Sequence, residues 1–534
     1  MKIKINQIEG YAYGAIQPSI TLIFFEDTID VKKHEAGFKK ILDKLPRFED
    51  DHRFSTGDEE IEQATPRFLF VTILDTLNHF CGDQRFTPIR VFDKDRSKCF
   101  SLPTLSTEMS RFNVNAILTL QKIANKGALS KELVGFLEKQ KRLARQFLPA
   151  GTNAGSFIAA AAERKIPFKI FNRKHIIFGY GSGSRIFNSS LTDEESVIGV
   201  QLAKSKVDTN RLLKMSGIPV AEQAQVRTIN DAHRFAEKVG YPVILKPESE
   251  EQGRGIFTNI IDQAELRDCF EKAYKDYKKL ILENFVTGLS YRVQVHRGKA
   301  VEAWEITPPF LTGDGASSIL ELIKIENSAA DRNDVNSPLK PIPIDAVTEL
   351  NLQKVGLTLN YTPSVGEVIM LSATSNVSRG GTPKRCLTQL HEANIGLCTQ
   401  AALTLGLHVA GVDIISEDAS KPWYENNTVI CEVNSQPQFG DIRLYPHLYK
   451  DIIGRVPNSG CTITLKVSHK FKSLPLNIFN KTVSDIVVQV TPRYLLTLGS
   501  PTQFFDDLSF EDDVSIEDQE KIISMISNVS CDTL

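Results

Sequence analysis

An excess of charge of either sign is missing from this chain: 65 acidic residues almost balance 63 basic ones, for a formal net charge of -2 over 534 residues. No global field therefore recruits nucleic acid or an anionic membrane surface. No run of about twenty apolar residues occurs, which argues against a helical membrane span. The opening MKIKINQIEGYAYG alternates like a strand and lacks the apolar centre of a secretory signal. Cysteine is sparse and scattered (Cys81, Cys99, Cys269, Cys386, Cys398, Cys431, Cys461, Cys531), with no CxxC pair. That excludes neither thiol chemistry nor a metal outright, but it argues against a disulfide framework or a zinc site and fits a reducing cytoplasm. Cys431 lies in an apolar strand pattern, where an inert buried thiol is expected.

What is present is an ordinary globular composition, 41% hydrophobic and 24% charged, on a chain too long for one core. Two to four domains are expected. Residues 1–165 read as an α/β domain in which the strand-like runs SITLIFFED and RFLFVTILDTL alternate with helical stretches. One such stretch places Leu133, Phe136, Leu137, Leu143 and Phe147 on one face and Lys139, Lys141, Arg142 and Arg145 on the other. The basic face reads as a solvated helix surface, and no catalytic constellation stands out here. Further on, GYGSGSRIF spaces its glycines like a nucleotide fingerprint. No helix opens after it, so a tight hairpin or substrate-facing turn is the better reading.

The stretch most loaded with chemistry is VILKPESEEQGRG, Val243 to Gly255. A β-branched run delivers Lys246 to the strand end, Pro247 stops it, and a loop with Gly253, Arg254 and Gly255 follows. Glycines let backbone N–H groups turn toward an anion while lysine and arginine supply charge, so this is a phosphate cradle or an ordinary charged turn. Before it, Lys206 stands at the junction of two helices, the second ending at Gly217. A helix from Asp231 to Val239 stopped by Gly240, and another from Gln263 to Tyr274, flank the stretch. The run KKLILENFVTGLSYRVQVHRGKAVEAWEI then reads as strand, hinge, strand and hairpin. Backbone groups of Glu283, Asn284 and Phe285 would hydrogen-bond an adenine edge there, although a plain hairpin turning at Gly298 explains the pattern equally well.

Two loops carry small and polar residues: TGDGASS from Thr312, and SNVSRGGTPKR from Ser375, where Arg379 and its neighbours suit a carboxylate or phosphate. Residues 326–345 between them are polar and read as an exposed excursion. After a helix from Glu392 to Leu405 come two strands, one bearing Asp413 and the other Glu432 and Asn434. On adjacent strands these oxygen-bearing side chains would converge into a hard-oxygen site for Mg²⁺, and acids within apolar strands are costly unless paired or metal-bound.

In that order, GYGS, AKSK at 203–206, GYPVILKP, EQGRG, a hinge with Gly288, Tyr291 and Arg292, GDG, NVSRGGT, AGVDI and EVN resemble an ATP-grasp ligase, most of all the ATP-grasp half of cyanophycin synthetase. About half of the chain, from Gly179 to Gly440, takes part in the resemblance. The fold class it implies is α+β (α/β): an ATP-grasp fold of two α+β lobes at 166–455, with a lid at about 220–290. An N-terminal α/β domain at 1–165 precedes it, and a β-rich extension with an acidic tail at 456–534 follows. The resemblance further implies ATP and Mg²⁺ as cofactors. Lys206 and Lys246 would reach the phosphates, Gly253 to Gly255 would close over them, and Glu283 to Phe285 would line the adenine. Asp413, Glu432 and Asn434 would hold the metal, and Arg292 and Arg379 would face the reacting carboxylate and the transferred phosphoryl group.

The chain departs from that pattern at Ser290, where related hinges carry an acid for the ribose, and at Arg379, where cyanophycin synthetases carry a smaller residue. No second nucleotide loop of the form GxxGK[ST] follows Gly440. The expectation is one activation and one amide bond per cycle, made on amino-acid or peptide substrates by a cytoplasmic carboxylate–amine ligase without nucleic-acid or membrane partners. Self-association is left open. The alternative is a nucleotide-binding regulatory protein with a degenerate ligase site.

Overall fold

The computed structural model describes residues 3–25, 31–43, 45, 54–55, 65–94, 97–125, 129–248, 255–329, 332, 339–372, 375, 377–440, 442–443, 445–454, 456, 461–471, 478–479 and 481–526. Helices and sheets are mixed throughout. Where the sequence suggests three consecutive segments, the chain forms two units, one of residues 1–189 with 449–534 and the other of residues 190–448.

In the first unit a five-stranded sheet runs in the order Ile3–Ile8, Ser19–Phe24, Ser97–Pro103, Ile89–Lys94, Phe54–Ser55. Phe24, Phe38, Phe70 and Phe100 are fully buried, and Phe24 meets Phe70 and Phe100 edge-on. Phe70 corrects one expectation, because RFLFVTILDTL is a helix, Pro66–Phe80, not a strand. An apolar run buried nearly all round has no period to read, and the signal that mattered was Pro66 at the first helical position after Thr65. The same error recurs in the expected β-rich extension. There Thr491 caps a helix Pro492–Leu498, and a second helix spans Ile516–Ile526. These accompany a parallel sheet ordered Asp485–Val490, Thr462–Val467, Asp507–Phe510. This C-terminal layer shares a core with the N-terminal strand: Ile463, Leu465 and Val467 pack with Ile8, Ala12 and Tyr180. Backbone bonds from Tyr11 N to Ser500 O and from Ser500 N to Tyr11 O, both 2.8 Å, tie the two ends together.

In the second unit, an antiparallel sheet ordered Gln223–Val226, Leu280–Asn284, Val243–Pro247, Phe257–Ile260 carries the helices Ile229–Val239 and Gln263–Asp276. The first helix begins at Ile229, two residues ahead of the expected Asp231, because Thr228 and Asp231 form a reciprocal capping box, and Gly240 ends it as expected, at φ +84°. A second sheet, five-stranded and antiparallel, runs Thr382–Arg385, Lys299–Thr307, Leu289–His296, Val409–Ser416, Val429–Asn434. The helix Glu392–Thr404 buries Leu397, Cys398, Ala401 and Ala402 against Val293, Val295, Val412 and Val433 on one face of this sheet. Its opposite face is left for chemistry. Gly288 joins the two sheets at φ +144°, where a Cβ would lie 2.5 Å from the Ser416 carbonyl, so only glycine fits the hinge.

The described part of 326–345 is anchored, contrary to an exposed excursion. Ile342 is 2% exposed and exchanges hydrogen bonds with the Asn327 side chain, and buried Arg332 donates to the Lys340 and Gly380 carbonyls. Polar composition misleads here because these side chains satisfy backbone groups inside the fold rather than water.

Candidate active site

Cross-strand register builds the site. Arg292 on the central strand pairs with Asp413, and Asp413 pairs with Glu432 on the next strand. Directly opposed residues project to the same face, so a cation and two acids stand in one row. Arg292 Nε donates to Asp413 Oδ1, and Nη2 donates to Oδ2 at 2.7 Å, a bidentate pair. Asn434 Nδ2 donates to Asp413 Oδ2 at 3.3 Å. Lys206 Nζ lies 3.4 Å from Glu432 Oε1. Burial works against the charge on Arg292, but the adjoining Asp413 outweighs it and holds the guanidinium protonated. Asp413 is pushed upward, because burial and the neighbouring Glu432 together exceed the pull of Arg292 and Asn434.

A bulge makes the row work. Asp413 faces Glu432 while Ile414 faces Ile430, so Cys431 is the extra residue. Strict alternation would turn Cys431 and Glu432 to opposite faces. With the bulge, Ile430 and Val433 reach the core while Cys431, Glu432 and Asn434 are only half-buried. The Cys431 thiol is pushed up by burial, so it stays protonated as the inert thiol expected there.

The other sheet supplies Lys246. Its Nζ sits 2.6 Å from Glu283 Oε1, with both side chains about a tenth exposed, and Gln223 Nε2 donates to the same oxygen at 2.5 Å. Burial opposes the ammonium charge, but Glu283, with Glu432 further off, more than restores it and raises the pKa. Beside this pair lies a shallow recess lined by Ile244, Val286, Ile415, Val429 and Ile430 together with the polar Asn210, Glu283 and Asn284.

Seven of the expected residues therefore gather: Lys206, Lys246, Glu283, Arg292, Asp413, Glu432 and Asn434. The expected adenine donors are only partly available, since Asn284 N donates to the Glu222 carbonyl and Phe285 N to that of Pro242. Carbonyls and Val286 are what the hinge offers. Arg379 departs from expectation. Its Nη1 and Nη2 donate to Asp345 Oδ2 and Oδ1 at 3.0 and 2.8 Å, and Asp345 itself caps the helix Ala346–Lys354. Gly253 and Arg254 lie outside the described residues. Gly255, at φ +67°, packs where a Cβ would come within 2.6 Å of the Tyr277 ring. TGDGASS is an internal turn, since Asp314 accepts from Ala316 N and from Ser317 N and Oγ. The recess walls Ile244, Val286 and Ile415 were missed by the sequence reading. Their signal was alternation: Ile244 precedes Lys246 by two, and Ile415 follows Asp413 by two, so each shares a face with a chemical residue.

The profile of the family described as carbamoyl-phosphate synthase L chain, ATP binding domain, matches residues 205–299, from the Lys206 helix through Lys246 and the hinge to Arg292. Cyanophycin synthetase of Trichormus variabilis is 33% identical to it over 340 residues, 63% of this chain and 38% of that one. The glutathione biosynthesis bifunctional protein of Pasteurella multocida is 26% identical over 270 residues, 49% of this chain and 36% of the relative. A bifunctional glutathione synthetase structure from the same organism superposes with a TM-score of 0.43 at 17% identity, covering 82% of both chains. This chain thus spans well under half the length of the curated relatives it matches.

The oxygen donors of this row fit a divalent cation. Asp413 and Glu432 oppose each other in register, and Asn434 turns its amide nitrogen to Asp413, which leaves its carbonyl oxygen for a ligand. These are hard oxygen donors of the kind Mg²⁺ takes. No group of three His, Cys, Asp or Glu suited to a metal exists among the described residues. Such a set holds Mg²⁺ only with phosphate oxygens and water completing the shell, as suits a nucleotide-borne ion.

Proposed function

We propose that this chain is an ATP-dependent carboxylate–amine ligase acting on amino-acid or peptide substrates. The observation that carries the reading is the convergence of Lys206, Lys246 and Arg292 with Asp413, Glu432 and Asn434 from two sheets and a helix start. The adenine ring occupies the recess beside Lys246, with Ile244 and Val286 on its faces. Lys246 and Lys206 neutralise the phosphates. A substrate carboxylate oxygen, oriented by Arg292, attacks the γ-phosphorus as the bond to the bridging oxygen breaks and ADP leaves. The amine nitrogen then attacks the acyl carbon, phosphate departs with the acyl oxygen, and the nitrogen loses its proton. Mg²⁺, held by Asp413, Glu432 and Asn434, would neutralise charge on the phosphate oxygens. The chain needs no covalent chemistry of its own, because positioning and fixed charge supply the rate enhancement.

ADP release tested across amino acids and short peptides, each as acid and as amine, with mass spectrometry of the product, checks this reading. Release that requires both an acid and an amine supports it. One observation favours a second reading: Arg292 and Lys206 already neutralise the two acids, which suits a binding protein without turnover. Nucleotide affinity without amine-dependent release would establish that alternative instead.

A further inference from the structure

The parallel sheet of the C-terminal layer ends on one side at the strand Asp485–Val490, which pairs along its whole length with Thr462–Val467 and with no other strand among the described residues. Thr462 N donates to the Ser484 carbonyl and Ser468 N to the Val490 carbonyl, so the main-chain groups of Ile486, Val488 and Val490 serve the sheet. In a parallel pair only alternate residues bond to a given neighbour, and the N–H and C=O groups of Asp485, Val487 and Gln489 therefore point out from the edge. The side chains of the same three residues are exposed, Val487 to 51%, while Ile486, Val488 and Val490 are buried in the core.

Open edges template pairing with another chain, and proteins usually blunt them with charge, proline, a bulge or short length. The opposite edge of this sheet is blunted in that way: Asp507–Phe510 has four residues and stands between Asp506 and the acids Glu511, Asp512 and Asp513. Elsewhere the edge strand Ile3–Ile8 carries Lys4, and the edge strand Thr382–Arg385 carries Pro383, Lys384 and Arg385. The edge DIVVQV has none of these devices. Its register with Thr462–Val467 is unbroken over six residues, it holds no lysine, proline or glycine, and its one charge, Asp485, stands at the end.

We propose that this edge pairs with the same edge of a second copy of the chain, antiparallel about a two-fold axis at Val487, so that two three-stranded sheets join into one. A second copy is the occupant because the strand complements itself. With the axis at Val487, Asp485 lies opposite the partner's Gln489 and Gln489 opposite the partner's Asp485, so each carboxylate meets an amide donor and no like charges oppose. Val487 exchanges both main-chain hydrogen bonds with the partner's Val487. Between these pairs Ile486 lies opposite the partner's Val488 on the buried face, and the apolar side of one sheet runs on into that of the other. A slip of one residue would aim the outward donors of one copy at groups of the other that its own sheet already uses. A pair of strands this short falls below the roughly 1,200 Å² of a stable interface, so the dimer is weak, with a dissociation constant of roughly micromolar or above.

Sedimentation equilibrium of the full chain, from roughly 1 to 300 μM at about 0.1 M salt, tests the pairing, and a monomer–dimer equilibrium across that range is expected. Two lysine variants separate this register from association elsewhere on the surface. Val487→Lys sets two ammonium groups against each other at the axis and raises the dissociation constant at least about tenfold. Gln489→Lys sets each new ammonium opposite the partner's Asp485 and lowers the constant about twofold to tenfold, a gain that fades as salt is added. Val487→Pro removes an outward N–H that serves no bond within the sheet, so the dimer is lost while the melting curve of the monomer stays near that of the unaltered chain. Should either Val487 variant fail to fold, the tightening by Gln489→Lys decides. A chain that is monomeric at every concentration overturns the proposal and leaves the edge to a strand of another protein. A dimer indifferent to Val487→Lys, or one that both lysines weaken, overturns it as well.

Discussion

Arg292 and Asp413 face each other across antiparallel strands and share two hydrogen bonds, so the cation proposed to orient the substrate and an acid proposed to hold Mg²⁺ are partners in the same pair. Ligands must compete with that pairing. Asp413→Asn and Glu432→Gln are each expected to raise the Mg²⁺ concentration needed for half-maximal ADP release and to lower turnover on the order of a hundredfold or more. A magnesium titration of both variants checks this, and an unaltered metal dependence would remove these residues from the site.

Lys246 and Glu283 form a buried pair, so their roles in fold and chemistry must be separated. Lys246→Met alone leaves a carboxylate uncompensated and is expected to cost about 3–5 kcal/mol of stability along with ADP release. Lys246→Met combined with Glu283→Gln restores most of the stability, because a neutral amide can keep the bond from Gln223, while activity stays lost. Denaturant melts and ADP release on the same preparations decide it. Activity returning with stability would mean that Lys246 does not touch phosphate.

Arg379 is bound to Asp345 at the start of the helix Ala346–Lys354. Arg379→Ala is therefore expected to lower stability by about 1–3 kcal/mol with kcat little changed. A fall in kcat without a shift of the melting curve would instead return this arginine to the reacting carboxylate.

In the first unit, burial pushes the Asp83 carboxyl up from 3.8 to about 7, against the bonds it accepts from Thr104 Oγ1, Leu105 N and Gln84 N. Thr104 Oγ1 lies 2.5 Å from Asp83 Oδ2 and 3.0 Å from the Ser106 carbonyl, and its one proton cannot serve both. A protonated Asp83 supplies the missing donor. Because the folded pKa is above the unfolded one, the folded state binds the extra proton between them, and this group's contribution is full below about pH 4 and lost as pH rises through about 7. The span corresponds to roughly 4 kcal/mol at most. Asp83→Asn is expected to flatten that slope in urea melts between pH 4 and 8, and a slope unchanged in the variant would refute it.

Local chemistry was legible in the residues themselves. The helix ending at Val239 announced its stop in Gly240, while the cap at Thr228 set its start two residues ahead of Asp231. Lys246 at a strand end, and acids standing in apolar strands at Asp413 and Glu432, were legible because burying a charge without a partner is too costly to be incidental. Pairing at a distance was not. Nothing near Arg379 in the chain names Asp345, 34 residues earlier. Nothing in DIVVQVTPRYLL says that its layer will share a core with Ile8 and Ala12. The bulge at Cys431 likewise depends on how Asp413 and Ile414 meet the neighbouring strand, yet it alone turns Glu432 toward Lys206. The sequence by itself determined which residues could carry charge, cap a helix or bend a hinge, since those are properties of a residue and its near neighbours. Only the tertiary structure decided which charges face each other, because register and long-range packing choose among partners that the chain offers equally.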